Sequence, residues 1–318
     1  MSMKNTPPEV VAAPTGLSLA SGAPVRGPVS RRGLLQAVMA GAAAIPLGGC
    51  AATGHAGEQG GKDVRLPPTV RGNGYRLVQN WDFASTVTNL AQLREAFFTR
   101  YIYNGGKLDT LNDEWQRYRD NDNHVFEDGA LALVARAPDG VVANGKIESG
   151  MLRSKWSGKH GYFECRMKVP GARSLWPAFW LNPQDGKWPP EIDILEIVNN
   201  GRDTTKNSFH FLHSGVKEEG DVASSLLDKH KSYRPGFDYK DDFHDFAVEW
   251  TANRVRHFVD DVLVADRSFR WVHRDGSDGG AAHVLLNLAV GGSWPGRPAG
   301  PEIFPAKLLV KHIRVWQK

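Results

Sequence analysis

Apolar and polar positions alternate in short runs over most of the chain beyond residue 130. Residues 131–135, 161–169, 243–250, 255–264, 284–290 and 308–316 carry β-branched, aromatic or alternating residues, the pattern of strands packed on a sheet. Gly, Pro, Asn and Asp punctuate them, as in Glu127-Asp128-Gly129, Pro138-Asp139-Gly140, Pro170-Gly171, Asp260-Asp261 and Gly291-Gly292. A helical period is nearly absent. Residues 89–97 fit one short helix, with Asn89 as its cap. Many short strands and almost no helix predict an all-β fold, a β-sandwich or jelly roll of antiparallel sheets.

The N-terminal part breaks this pattern. Residues 1–29 are rich in Pro, Ala, Gly and Ser, and Ser30-Arg31-Arg32-Gly33-Leu34-Leu35 then precedes an apolar run over 37–47. A charged region, a short apolar region and small residues form the layout of an export signal. The run is too short to span a bilayer. The paired arginines resemble a twin-arginine signal, and Leu47-Gly48-Gly49-Cys50 resembles a bacterial lipobox. Residues 1–50 are therefore read as an export signal with Cys50 as the lipidated residue, 51–72 as a flexible linker, and 73–318 as one sandwich domain. The expected location is the periplasm or cell surface as a lipoprotein, or the extracellular space. Membrane contact would come only through a lipid at Cys50.

Charge changes the picture little once this segment is set aside. The whole chain has 39 basic residues against 35 acidic ones, but Lys4, Arg26, Arg31, Arg32 and Glu9 belong to residues 1–50, leaving 35 against 34. No basic stripe remains to suggest a nucleic-acid partner. Cys165 has no partner in the processed chain, and its strand-like surroundings read as a buried structural thiol. A monomer is the default.

The candidate chemistry lies in Trp188-Pro189-Pro190-Glu191-Ile192-Asp193-Ile194-Leu195-Glu196. A period of two puts Glu191 and Asp193 on one strand face and Glu196 on the other. A β-bulge between Asp193 and Glu196 would return Glu196 to the side of the other two. A solvated outer face would carry polar alternate positions, yet Ile192, Ile194, Leu195, Ile197 and Val198 are apolar. Clustered carboxylates on a half-buried strand repel one another and are costly to desolvate. Glycoside hydrolysis uses such a set, and an acidic metal-binding edge is the main competing reading. Trp176, Trp180, Trp188 and Trp294 lie beside this strand or near the C-terminal glycines. An indole can stack on the C–H face of a sugar. Trp250 and Trp316, inside apolar strand patterns, read as core.

From about residue 75 to the C-terminus, the ordered series of motifs resembles glycoside hydrolase family sixteen, in its bacterial laminarinase-like branch. The series includes Leu111-Asn112-Asp113-Glu114-Trp115-Gln116, Leu175-Trp176-Pro177-Ala178-Phe179-Trp180, the acidic strand, Ser208-Phe209-His210, Val248-Glu249-Trp250, Leu286-Asn287 through Trp294-Pro295-Gly296, and Ile313-Arg314-Val315-Trp316. The resemblance implies a jelly roll of two curved antiparallel sheets with an open cleft on the concave face. It implies a polysaccharide substrate, a β-1,3 or mixed β-1,3/1,4 glucan, cut with retention of configuration. By resemblance Glu191 is the nucleophile, Glu196 the acid/base and Asp193 the auxiliary carboxylate. Asn112, Glu114, Trp176, Trp180, Trp188, Asn287 and Trp294 are carried over as substrate contacts. Arg153 joins them, although Met151-Leu152-Arg153 departs from the pattern. His210 is placed with the carboxylates, a satisfied structural histidine being its other reading.

The resemblance also implies a calcium ion on the convex face, held by an acidic residue near the first strand and an Asp on the last. Lys311 stands where that Asp is expected, and Trp81-Asp82-Phe83 replaces the usual acidic pair. An ammonium cannot ligate a hard cation, so no metal and no cofactor is expected. A hydrolase or transglycosylase acting on a bacterial exopolysaccharide or galactan is the nearest alternative. A non-catalytic β-glucan-binding protein, or a structural surface lipoprotein, is the alternative of another class.

Overall fold

A computed structural model of the chain describes residues 64–216 and 227–318. The segment 1–50, with Cys50, and most of 51–72 lie outside them. Within the rest of that linker, Val70 is 3% exposed and Val70 N donates to Pro67 O. The packed part therefore begins before residue 73.

Among the described residues seventeen strands form in chain order: β1 (Arg76–Asp82), β2 (Phe97–Phe98), β3 (Gln116–Tyr118), β4 (His124–Glu127), β5 (Ala130–Ala135), β6 (Ile147–Ser149), β7 (Met151–Gly158), β8 (Gly161–Lys168), β9 (Leu175–Pro183), β10 (Glu191–Glu196), β11 (Ser208–Ser214), β12 (Leu227–Tyr233), β13 (His244–Trp250), β14 (Arg254–Val259), β15 (Val262–Ser268), β16 (Ala282–Val290) and β17 (Ala306–Gln317). They build a jelly-roll sandwich. The back sheet runs β15-β14-β13-β8-β17-β5-β4, with β1 also paired to β17. The front sheet runs β12-β11-β10-β9-β16-β7-β2, and β3 and β6 form a small parallel pair. The expected helix forms at Leu90–Ala96, and the Asn89 side chain accepts from Gln92 N at 3.0 Å, capping it as its sequence predicts.

The apolar run 255–264 differs from expectation. Asp260 and Asp261, both with positive φ, split it into the hairpin β14–β15. The turn residues outweigh the hydrophobic continuity, because Asp tolerates the left-handed region better than β-branched neighbours do.

One core fills the space between the sheets. Leu152, Phe179, Ile192, Leu195, Leu212 and Leu286 meet Phe163, Cys165, Phe246, Val248, Leu308 and Val315 there, all fully buried. Each such large side chain contributes about 1.5–3 kcal/mol of burial. Cys165 lies inside this layer, where burial pushes its thiol up and keeps it inert. A second, smaller cluster covers the other face of the front sheet: Tyr101, Tyr118, Met151, Ala178, Trp180 and Leu285. That is why every residue of β16 is buried.

Candidate active site

The bulge in β10 is present and decides the site. Against β9, Ile192 pairs with Leu181 and Asp193 with Trp180, but Leu195 then pairs with Phe179 and Glu196 with Ala178. The register slips between Asp193 and Leu195. Ile194 and Leu195 are consecutive and both enter the core. The extra residue returns Glu196 to the face of Glu191 and Asp193.

Two buried histidines brace this bulge from behind. His210 Nδ1 lies 2.7 Å from Ile194 O, and His257 Nε2 lies 3.1 Å from Asp193 O. Arg267 Nη2 donates to His210 O at 3.1 Å. Burial holds both imidazoles well below the usual histidine range, His210 at about 4. They are neutral, as donors to a carbonyl in an apolar layer should be.

His210 therefore does not join the carboxylates. Its other nitrogen meets Ser208 Oγ at 3.1 Å, and it is fully buried on the core side of β11. The histidine at the carboxylates is His213, whose Nε2 is 3.3 Å from Asp193 Oδ2 and 3.6 Å from Glu191 Oε1. An offset of three along a strand reverses the face. Register places His213 opposite Glu191. The signal was the alternation Phe209-Phe211-His213 against Ser208-His210-Leu212.

Glu196 is buried, and Trp176 Nε1 donates to its Oε1 at 2.9 Å. Its carboxyl is held well above the ordinary value, first by burial and then by the charges of Asp193 and Glu191. Glu191 is more open, with its side chain 17% exposed.

Aromatic rings continue the site along both sides. Trp294 packs edge-on to Trp176 at 5.0 Å and to Phe209 at 5.5 Å. Trp188 lies 5.8 Å from the His213 ring, with the Arg274 guanidinium 5.5 Å from its indole centroid. Trp176, Trp188 and Trp294 are half-buried, so ring surface remains open.

The other expected contacts are placed differently. Trp180 Nε1 donates to Asn287 Oδ1 at 2.8 Å, and Asn287 Nδ2 donates to Tyr118 OH at 3.0 Å. Trp180 and Asn287 are 6% and 3% exposed, so they hold each other beside Asp193, whose strand partner is Trp180. Glu114 is also buried, bonded by Gln116 Nε2, and burial pushes its carboxyl up to about 7. Arg153 is spent on Arg100 O and lies 4.2 Å from the Phe98 ring centroid, 5% exposed. Asn112 is exposed, with a left-handed φ of 52°.

At the Gly291-Gly292 turn the protein itself approaches closely. A Cβ on Gly291 would lie 2.7 Å from Trp115 Cγ, and one on Gly292 2.8 Å from Asp113 Oδ1. Asp113 Oδ2 accepts from Ser293 N at 2.7 Å, fixing the loop that carries Trp294. Asp113 and Tyr103, whose OH accepts from Asn182 Nδ2 at 3.0 Å, were not singled out by sequence.

Carboxylates and open indoles gathered on one face of a two-sheet β-sandwich define a carbohydrate-active protein. The family model for glycosyl hydrolases family 16 matches residues 112–299, and the chain belongs to that family. The clotting factor G alpha subunit of Tachypleus tridentatus is 31% identical over 65% of this chain, and the beta-glucanase of Rhodothermus marinus 32% identical over 52%. The chain spans 30% and 60% of those two proteins. The laminarinase catalytic domain of Thermotoga maritima MSB8 superposes with a TM-score of 0.60 at 26% identity, over 77% of this chain and 98% of that one.

Proposed function

We propose that the protein is an exported retaining endo-glycoside hydrolase that cuts β-1,3 or mixed β-1,3/1,4 glucans by double displacement. The observation that carries this reading is the bulge at Ile194, which returns Glu196 to the face of Glu191 while burial holds the Glu196 carboxyl well above its ordinary value. The family, and the beta-glucanase and laminarinase among its relatives, support a glucan as substrate.

In the first step Glu191 attacks the anomeric carbon as the bond to the leaving oxygen breaks. Glu196 gives that oxygen its proton. In the second, Glu196 takes a proton from water, whose hydroxyl displaces Glu191 and restores the starting configuration. Asp193, held by His213, keeps negative charge beside both glutamates. Trp176, Trp188 and Trp294 offer stacking surfaces to the glucan.

Export through residues 1–50 and lipidation of Cys50 belong to the same proposal, on the signal layout described above. So does the absence of calcium at the convex position. Lys311 Nζ donates to Asp128 O at 2.7 Å and lies 3.4 Å from Gly129 O, so an ammonium already occupies carbonyl oxygens suited to a hard cation. Calcium titration by calorimetry is expected to give no stoichiometric heat. A tight single site abolished by altering the 128–129 turn would overturn that.

The functional test is product analysis on laminarin, lichenan, curdlan, agarose and carrageenan, using protein fractionated from the producing cells. Oligosaccharides from laminarin, released first as the β-anomer by NMR, are expected from the exported membrane-attached fraction. Cys50→Ser should move that activity to the soluble exported fraction. Release from agarose or carrageenan alone would favour the galactan reading, and laminarin binding without cleavage the recognition reading.

A further inference from the structure

The back sheet carries a second cluster of metal-ligating groups, away from the cleft. β13, β8 and β17 are adjacent strands, and Glu164, Asp245 and His312 alternate with the core residues Cys165, Phe246 and Ile313. All three therefore point outward on one face. One ligand atom from each lies within 4.8 Å of the other two.

Glu164 is 2% exposed, a depth at which every polar atom normally has a partner. Its Oε1 lies 3.1 Å from His312 Nε2, but its Oε2 is buried with no hydrogen-bond partner. His312 Nε2 also lies 3.3 Å from Arg314 Nη1, a group that can only donate. One ring nitrogen cannot accept from Arg314 and donate to Glu164 at once. In either tautomer, Glu164 Oε2 is left buried without a hydrogen-bond partner. A cation bound among the three side chains removes that deficit.

We propose that Glu164, Asp245 and His312 form a structural site for a divalent transition metal of the Zn²⁺ type. An imidazole with two carboxylates suits such an ion better than calcium or magnesium, which take oxygen ligands. Bonds of about 2.0–2.2 Å at tetrahedral angles need ligand atoms roughly 3.4 Å apart, so the cluster must close slightly. Asp245 can supply the movement, because its side chain is partly exposed and its Arg166 partner is more so. Water would complete the fourth position. Arg314 is balanced by Asp82 at 3.2 Å, and Asp245 would share its carboxylate between the metal and Arg166, now 2.8 Å away. The ion would tie three neighbouring strands together and take no part in catalysis. It is not the convex calcium position, where the Lys311 ammonium sits.

Glu191, Asp193 and His213 also fall within ligand reach of one another, so the test must separate the two clusters. Chelator-stripped full-length protein carrying His213→Asn would be titrated with ZnCl₂ by calorimetry and melted with and without zinc. One stoichiometric zinc and a Tm raised by several degrees are expected. Both should disappear on adding Glu164→Gln or His312→Asn, while these two changes in the otherwise native chain leave laminarin cleavage within about twofold. Should either variant fail to fold, Co²⁺ added to the His213→Asn protein should give the strong visible bands of four-coordinate cobalt, weakened by Asp245→Asn. Absence of stoichiometric zinc, or binding that survives Glu164→Gln and His312→Asn, would overturn the assignment.

Discussion

Glu191→Ser is expected to lower kcat on laminarin by about 10⁴-fold or more, the scale on which members of a catalytic unit fail. Serine is too short to reach the anomeric carbon from the start of β10. Neither remaining carboxylate can replace it: Asp193 is committed to His213, and Glu196 is buried with its carboxyl held well above the ordinary value. The variant should nevertheless fold. Glu191 is one of three mutually repelling acids, and its loss removes one of the charges that hold Glu196 above its ordinary value. Its Tm should therefore equal or exceed that of the native protein, and laminari-oligosaccharide binding by calorimetry should persist. Reducing-sugar release within tenfold of the native rate would remove Glu191 as the nucleophile. Lost activity with a collapsed Tm would make its role structural.

The bulge shows how much of this site was legible. Period two alone separates Glu196 from Glu191, so the requirement for one extra residue could be read from six positions. The identity of the facing histidine could not. His210 and His213 lie on one strand, and choosing between them needs the pairing of β11 with β10, which is a tertiary fact. Trp180 and Asn287 are a similar case. Their residue types suit a sugar, but Tyr101, Tyr118 and Met151 cover the same face, and the two side chains satisfy each other. The glycines at 291 and 292 were visible as a tight turn, but what crowds them comes from Asp113 and Trp115, far away in sequence. Sheet membership and the split at Asp260-Asp261 follow the same division. Local alternation marks strands, and long-range packing decides which neighbours they meet.

The second large effect concerns Glu196 and is read in the pH profile. Glu196→Gln should cost about 10²–10⁴-fold on natural glucans, the usual worth of a positioned acid. It should cost far less on an aryl glucoside whose leaving group needs no proton. On the proposed mechanism the first step requires protonated Glu196, so kcat/KM should fall as pH rises through its pKa. Burial is the main reason that this limb lies high, and Asp193 adds to it. Asp193→Asn removes a neighbouring negative charge, so the basic limb should move to lower pH. Trp176→Phe removes the indole hydrogen bond that favours the ionised form, so the limb should move to higher pH. Stability follows the same sign. A folded pKa above the unfolded value means that the native state holds its proton longer, so stability is full below the unfolded pKa and declines as pH rises through the folded one. Glutamine has no such loss, and Glu196→Gln should gain Tm over the native protein at pH 8 but not at pH 4. Limbs that move together in Asp193→Asn and Trp176→Phe, or a basic limb unchanged by Glu196→Gln, would assign the titrating acid to another residue. Glu114, at about 7, would be the first to examine.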